Sequence, residues 1–382
     1  MSVTLRPSQG TLYGLTVVCS LILSVVTASA QEDQSSSVAN AEQLRTVGVH
    51  GGDCKKCHPS EVSAWMKSTH FQTADLRLRN FAENSKKYAT ALGIKQQDML
   101  TTAACANCHG TQVVRNGEIE VVSGVSCEKC HGGAGGDAGW LNRHQSYHSQ
   151  MVIPRQQETS EHREARTADC ESAGMVRSEN LRGLALACFK CHLVDNEELV
   201  AAGHKMASAF EFVSWSEGEV RHNFLVNRQV NAPQPSLWLE QSGSTVENRR
   251  RLKFVVGTLA QLETGLRARA KMKNPVLIPQ LGGMIAAGNG KLLQINGVAP
   301  TDEITQVTAL INPMLGTLFA PLPTDEETYQ KAADQIAELT QKFIEQHDGS
   351  KLNGLDALLG AVEPHFSQQF KDRYIPPKEP EE

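Results

Sequence analysis

Four short motifs in this sequence combine two cysteines with one histidine at a fixed spacing. In each motif the cysteines are three positions apart, and the histidine directly follows the second cysteine. The spacing C-x-x-C-H is the attachment signal of c-type haem, in which both thiols bind the porphyrin as thioethers. The histidine then supplies the proximal axial ligand of the iron. The cysteine pairs are Cys54 and Cys57, Cys105 and Cys108, Cys127 and Cys130, and Cys188 and Cys191; the histidines are His58, His109, His131 and His192.

Two other uses of paired cysteines fit the sequence less well. An even number of cysteines in an exported protein usually forms disulfides, but disulfides need neither this regular spacing nor a following histidine. A zinc ribbon needs two such pairs for each metal and no histidine after each pair. We therefore expect four covalently bound c-type haems (heme c). They should lie close together, because all four motifs fall between Cys54 and His192.

The remaining histidines are candidates for the second, distal ligand of each iron. The chain has 13 histidines, of which four belong to the motifs. For His347 and His365, far along the chain, we expect ordinary surface or core roles, and for His162 a solvated position in a charged segment. The other candidates are His50, His70, His144, His148, His204 and His222.

The position of His70 limits which haem it can ligate. A helix is predicted to begin at Pro59. Its apolar face is formed by Val62, Trp65 and Met66. His70 follows His58 by twelve positions, about 18 Å along a continuous helix, whereas two axial nitrogens on one iron lie about 4 Å apart. We therefore expect His70 to ligate a different haem from the one that His58 holds.

Two stretches resemble the cytochrome c-554 family, tetrahaem carriers that accept electrons from hydroxylamine oxidoreductase. The stretch CKKCHPSEVSAWMKSTH is similar to that family's first motif, in which C-x-x-C-H is followed by a tryptophan and then a histidine at this spacing. The stretch VSGVSCEKCHGG, with His144 downstream, resembles the family's third motif and its following histidine. The resemblance covers roughly residues 50–225, and the region after Phe224 lies outside it.

The resemblance implies three haems with two histidine ligands and one haem with an open position. Carried over to this sequence, it implies that His70 serves the third haem, held by His131. It also implies that His144 serves the fourth haem, held by His192.

For the first two haems the resemblance leaves alternatives open. The first haem would take a histidine from beyond the fourth motif, where His204 and His222 are available. His204 follows a glycine, similar to the Gly-His distal-ligand motif of larger multihaem cytochromes. The second haem, held by His109, is five-coordinate in that family, but His148 or His222 could cap it here.

The first thirty residues have the pattern of a cleaved signal peptide. An apolar run from Leu15 to Val26 precedes Ala28-Ser29-Ala30, a small-residue cleavage signature, and it is shorter than the ~20 residues that span a bilayer. We expect cleavage after about Ala30, a periplasmic or otherwise exported protein, and no membrane span after cleavage. Acidic residues outnumber basic ones, 42 to 37, which gives no support to nucleic-acid binding.

The sequence predicts a mainly α fold with extensive loops, in which a multihaem cytochrome domain precedes a helical C-terminal domain. The expected parts are the signal peptide at 1–30, a disordered polar segment at 31–49, a tetrahaem cytochrome domain at 50–230, a helical domain at 236–372 and a flexible tail at 373–382. A linker is expected at 231–235.

Apolar residues at steps of three and four predict the C-terminal helices. These residues are Leu252, Val255, Val256, Leu259, Leu262 and Leu266 in a first helix, Ile304, Val307, Leu310 and Ile311 in a shorter one, and Tyr329, Ala332, Ile336, Leu339 and Phe343 in a last one. The basic cluster Arg249, Arg250, Arg251 and Lys253 is expected to form a solvated helix face.

Three functions are compatible with these features. The first is electron transfer between redox-partner proteins of the cell envelope, since irons with two histidine ligands pass electrons but bind no substrate. The second is an enzyme, a reductase or oxidase of nitric oxide, nitrite or hydroxylamine at a five-coordinate second haem. The third is a structural haem subunit whose C-terminal helices dock a catalytic partner. The supply of spare histidines favours electron transfer.

Overall fold

The chain is mainly α-helical, as the sequence predicts, with short helices and loops in its first half and longer helices in its second half. The structure is a computed structural model and describes residues 44–80, 82–136, 139–147, 157–220, 226–227, 234–235, 244–320 and 326–367. The predicted signal peptide and tail lie outside these residues. No helix within the described residues is both long enough and apolar enough to cross a membrane.

The first half of the chain folds into short helices. The motifs and their glycine-rich flanks break up the periodic apolar pattern that a longer helix would need. In order, these helices are α1 (Gly48–Gly51), α2 (Cys54–Cys57), α3 (Pro59–Lys67), α4 (Thr69–Thr73), α5 (Glu83–Ala91), α6 (Ala103–His109), α7 (Cys127–His131), α8 (Trp140–Ser146), α9 (Ser160–Ser172), α10 (Leu181–His192), α11 (Glu197–Ala201) and α12 (Phe212–Glu217). A π-helical turn, Ala74–Arg79, continues α4, and a 3₁₀ turn, Gln96–Leu100, precedes α6.

A β-hairpin separates the second and third motifs. Strand β1 (Thr111–Arg115) pairs antiparallel with β2 (Glu118–Ser123). The turn residues Asn116 and Gly117 both have positive φ, 52° and 82°, which is the backbone that a two-residue Asn-Gly hairpin turn requires. A second, very short pair joins β3 (Val226–Asn227) to β4 (Gln234–Pro235), and β4 lies in the predicted linker.

Helix α3 begins at Pro59 as predicted, but its apolar face is narrower than expected. Val62 is buried, whereas Met66 is 43% exposed. Trp65 is held by its indole N–H, which donates to the carbonyl of Val125 at 2.7 Å. This hydrogen bond ties the helix after the first motif to the residues just before the third.

The described residues after 244 form α13 (Val246–Lys271), α14 (Ile278–Val298), α15 (Asp302–Ile311), α16 (Glu326–Gln346) and α17 (Asp356–Leu359). Apolar periodicity predicts α13, α15 and α16, whereas α14 and α17 were not predicted. The predicted apolar residues are buried, apart from Leu310 and Leu339, which are partly buried. Helix α13 packs against α16, α14 and α10, so it is the centre of this half of the chain.

One apolar core contains residues from both sides of the predicted domain boundary. It extends from Leu181 in α10 to Leu359 in α17. Helix α10 carries the fourth motif, so that motif is anchored directly on the C-terminal helices. The division at 230–236 remains a prediction.

The expectation that the basic cluster at the start of α13 is solvated is wrong. Arg249, Arg251 and Lys253 are 3%, 9% and 0% exposed. Arg251 makes a paired contact with Asp356 at 2.6 and 2.7 Å, and Lys253 lies 3.3 Å from Glu217. The prediction failed because other helices pack against α13 on several sides. The buried cations bind carboxylates or carbonyl groups inside the fold.

Candidate haem-binding sites

All four C-x-x-C-H motifs are built on a helical turn. The motifs form α2 and α7 and the last turns of α6 and α10. In the first motif, the backbone N–H of His58 donates to the carbonyl of Cys54 at 2.8 Å, so the turn continues into the histidine. A helical turn places residues three and four positions apart on one face. Each motif can therefore present both sulfurs and the imidazole to a single porphyrin.

The surroundings of three motif cysteines favour the uncharged form of their sulfur atoms. The nine described cysteines form no disulfide with one another. Burial raises the pKa of Cys105 to about 11, of Cys127 to about 12 and of Cys130 to about 11. Thiolate sites that react or bind metal ions have a lowered pKa. These three motif sulfurs thus fit uncharged thioethers better than thiolates.

Three of the motif histidines lie opposite a second histidine. The distances between ring centres are 6.5 Å for His58 and His144, 6.2 Å for His70 and His192, and 6.2 Å for His109 and His204. An axial nitrogen lies about 2 Å from its metal and the ring centre roughly 1 Å further out, so two imidazoles on one iron have ring centres about 6 Å apart. Each pair therefore has the spacing of two axial ligands of one iron, and the residues fit a haem.

This arrangement corrects the pairings that the resemblance implies for His70 and His144. His70 lies beside His192 of the fourth motif, not in the implied pair with His131. His144 lies beside His58 of the first motif instead of His192. Helix α8 is packed against the turn before the first motif, where a Cβ on Gly52 would lie 3.2 Å from Leu141, and this packing brings His144 to His58.

The second motif also has a histidine opposite its own. His204, which the resemblance offered to the first haem, lies beside His109 instead. The hydroxyl of Tyr88 donates to the carbonyl of Gly203 at 3.1 Å, and Gly203 has φ +103°, a conformation that favours glycine. The turn held in this way places His204 at the second motif. The alternative ligands His148 and His222 lie outside the described residues.

The first, third and fourth motifs are neighbours in that order. Cys54 of the first motif is close enough to Cys127 of the third to add to burial in raising its pKa. Cys130, also of the third motif, contributes in the same way to the raised pKa of Cys188 in the fourth. Helix α7 packs directly against α10.

The second motif lies against the fourth through two matching contacts. The Cys108 thiol points to the carbonyl of Lys190 at 3.7 Å, and the Cys191 thiol to the carbonyl of Asn107 at 3.9 Å. The spatial order of the motifs is therefore first, third, fourth, second. It differs from their order in the chain.

Burial keeps two of the motif histidines neutral. It lowers the pKa of His109 to about 4, with further lowering from His204 and Arg77. Burial also lowers the pKa of His192 to about 4, helped by His70 and His365. Iron is bound by the neutral imidazole, so these side chains are in the ligating form at neutral pH.

Hydrogen bonds orient several of the imidazoles. The Nδ1–H of His131 donates to the carbonyl of Val176 at 2.7 Å, and that of His204 to the carbonyl of Lys205 at 2.8 Å. Donation from Nδ1 leaves Nε2 available to a metal and fixes the plane of the ring. His192 Nδ1 lies 2.8 Å from the hydroxyl of Ser208, and this hydrogen bond also fixes the orientation of its ring.

A comparison with known families found a match in this region. Residues 53–132 match the family model described as cytochrome c554 and c-prime. This segment is therefore similar to the cytochrome c554 family, and it is called the cytochrome c554 segment below. It contains the first three motifs, and the fourth lies beyond it. No match was found among curated proteins or among solved structures.

A buried carboxylate organises the third motif of the cytochrome c554 segment. Glu128, between the two cysteines, is 5% exposed. It accepts backbone N–H groups from Val47 at 2.9 Å, Gly48 at 2.8 Å and Ala134 at 3.0 Å. Glu128 occupies a variable position of its C-x-x-C-H motif, and its carboxylate binds the backbone that precedes the first motif. The sequence analysis did not predict this contact.

Aromatic side chains surround His192 of the fourth motif, and the sequence analysis did not predict them. Phe210 stacks on His192 with ring centres 4.8 Å apart, and Trp215 meets it edge-on at 4.7 Å. His365, for which an ordinary role was expected, stacks on Trp215 at 4.1 Å. No spacing rule marks His365, because its contact depends on the C-terminal chain returning to α12.

Other candidates are placed away from these pairs. His162 and His347 pair with Glu158 and Glu303 at 2.9 and 3.1 Å, as ordinary polar side chains do. His50 lies in α1 and is exposed. Among the described residues, no group of three or more histidine, cysteine or acidic side chains is arranged to hold a metal ion. A haem iron differs in needing only two protein ligands.

Proposed function

We propose that this chain is an exported tetrahaem cytochrome that relays electrons between redox-partner proteins of the cell envelope. The cytochrome c554 segment makes it a c-type cytochrome involved in electron transfer. Four haems, export and the envelope partners are the proposed part. The observation that carries the proposal is the presence of three opposed histidine pairs with the spacing of axial ligands.

The opposed histidines explain why a carrier is favoured over an enzyme. When bound, a haem supplies an iron that gains and loses one electron. In this chain, two imidazoles lie at each of three sites and would fill both axial positions of a bound haem. Such a site admits no substrate to the metal and keeps its geometry between oxidation states, which suits electron transfer.

The arrangement of the motifs supports a continuous path with two ends. The third and fourth motifs lie in the middle and the first and second at the ends. At the first end, Cys57 and the neighbouring Lys55 and Lys56 are exposed. At the second end, His204 is half-buried beneath Tyr88. A path that is exposed at one end and half-buried at the other can receive electrons from one protein and deliver them to another.

The reductase or oxidase hypothesis loses its main support. It placed an open coordination position at the second haem, and His204 lies 6.2 Å from His109, ring centre to ring centre. Substrate would have to displace this imidazole before it could reach the metal.

Haem content tests the proposal directly. The full chain is expressed in a host that attaches c-type haem outside the cytoplasm, and covalent haem per polypeptide is measured. We expect four haems, and one fewer when both cysteines of the fourth motif are replaced by serine. A chain starting at Gln31 and kept in the cytoplasm should carry none. An exported chain without covalent haem would overturn the proposal.

A further inference from the structure

The last described residues, Glu363–Ser367, lie across α12 and are here called the C-terminal strap. The Ser214 hydroxyl donates to the carbonyl of Glu363 at 2.6 Å. The backbone N–H of His365 donates to the carbonyl of Ser214 at 2.9 Å, and that of Glu219 to the carbonyl of His365 at 3.0 Å. The strap is therefore fixed along its length by defined hydrogen bonds.

The residue after α12 allows the strap to approach this closely. A Cβ on Gly218 would lie 1.9 Å from the carbonyl oxygen of His365. No side chain can be accommodated at that distance, so only glycine permits the contact.

Glu219 connects the strap to the residue before His70. Its carboxylate accepts the backbone N–H and the hydroxyl of Ser367 at 3.0 and 2.6 Å, and it also accepts the backbone N–H of Thr69. The hydroxyls of Thr69 and Ser367 lie 2.7 Å apart. Glu219 is 9% exposed. Burial acts to raise its pKa, but the hydrogen bonds from Ser367 and Thr69 outweigh this and lower the pKa, so the carboxylate stays ionised.

The residues that follow β2 hold the segment of His70 from the other side. The backbone N–H of Gly124 donates to the carbonyl of Phe71 at 3.1 Å, and the Thr73 hydroxyl donates to the carbonyl of His70 at 2.8 Å. That hydroxyl also accepts the N–H of Val125 at 3.1 Å. The short helix α4 is thus clamped between the residues before the third motif and the strap.

We propose that Glu219 and the C-terminal strap are positioning elements that hold His70 in place opposite His192 at the fourth haem. This inference rests on the proposed function, because it requires a haem at the fourth motif. The strap and α12 lie outside the cytochrome c554 segment. The chain therefore uses its own C-terminal region to complete the ligand set of the fourth site, and Glu219 acts through the backbone of Thr69 without touching the ligand.

Two shortened chains test the proposal on the haem-loaded protein. One ends at Val362 and lacks the strap; its control ends at Ser367 and keeps it. The readout is carbon monoxide bound by the reduced protein, because this ligand binds only where an axial position opens. The chain ending at Val362 should bind up to about one more equivalent than the full chain, and the control should match the full chain. Equal binding by all three would overturn the proposal.

Combination with His70→Ala identifies the site that opens. His70→Ala alone should open the fourth haem, so removing the strap from that variant should add no further carbon monoxide binding. Additional binding would mean that the strap acts at another site, which would also overturn the proposal.

Point variants keep the proposal testable if the shortened chain does not accumulate. Glu219→Ala removes the acceptor for both Thr69 and Ser367 and should increase carbon monoxide binding, whereas Glu219→Gln keeps one acceptor oxygen and should restore most of the closed state. Unchanged binding in Glu219→Ala would contradict the proposal. A full chain without covalent haem would instead refute the proposed function, so the two failures are distinguishable.

Discussion

The imidazole of His70 lies 6.2 Å from that of His192, ring centre to ring centre, although the two residues come from different parts of the chain. His70 belongs to the cytochrome c554 segment and His192 lies beyond it. A site made from both cannot form until α4 and α10 have come together. The fourth site therefore depends on the packing of the whole chain, unlike the attachment cysteines, which are local.

Removing each distal histidine should open one site. We expect His70→Ala, His144→Ala and His204→Ala each to add about one carbon monoxide-binding haem, since each variant removes one of two axial ligands. His162→Ala and His347→Ala, which remove histidines paired with carboxylates, should add none. Difference spectra of the reduced proteins measure the effect. An unchanged spectrum for any of the first three variants would contradict the pairing.

Gly124 should tolerate no side chain. A Cβ there would lie 2.1 Å from the carbonyl oxygen of His70 and 2.5 Å from that of Phe71. Gly124→Ala should therefore lower the free energy of unfolding by more than about 2 kcal/mol, because the backbone that carries His70 must move.

Gly283 provides the matched control for this change. It lies in the interior of α14 with nothing within 4 Å of an added Cβ. Gly283→Ala should stabilise the protein by about 0.5–1 kcal/mol, as expected for an open helical position. Denaturant titrations should show that the free energy of unfolding falls in Gly124→Ala and rises in Gly283→Ala. An unchanged free energy of unfolding in Gly124→Ala would argue against the close packing of α4 on the residues after β2.

The buried Lys253 should make stability depend on alkaline pH. Burial lowers its pKa to about 8, which Glu217 partly opposes, whereas an unfolded lysine titrates near 10.4. Between these values the unfolded chain binds more protons, so the free energy of unfolding contributed by this group rises as the pH increases.

The variant Lys253→Met isolates that contribution. Glu217 keeps its other partner, Arg250 at 2.9 Å, so no carboxylate is left without a cation. The difference in melting temperature, unaltered chain minus Lys253→Met, should increase from pH 8 to pH 10. A difference that is constant across this range would show that Lys253 does not titrate there.

The sequence predicts best the features that depend on nearby residues. The motif cysteines and their histidines are recognised from spacing alone, and Pro59 marks the start of α3. Apolar periodicity locates α13, α15 and α16, because a buried helix face repeats every three to four residues.

Features set by distant contacts were not predictable in this way. His70, His144 and His204 were recognised as candidates, but their partners depend on how α4, α8 and the turn at Gly203 are packed. The resemblance suggested other pairs, since a motif fixes the residue and not its neighbour in space. The burial of Arg249 and Lys253 was missed for the same reason, because charge alone does not reveal which side of a helix is covered.

The spin states of the oxidised irons test the proposed histidine pairs most directly. The measurement is quantitative electron paramagnetic resonance on the fully oxidised, haem-loaded chain, which separates low-spin irons with two histidine ligands from high-spin irons with an open position. The three histidine pairs predict that at least three of the four proposed irons are low-spin. Two or more high-spin irons would contradict the pairing and with it the assignment of this chain as an electron carrier.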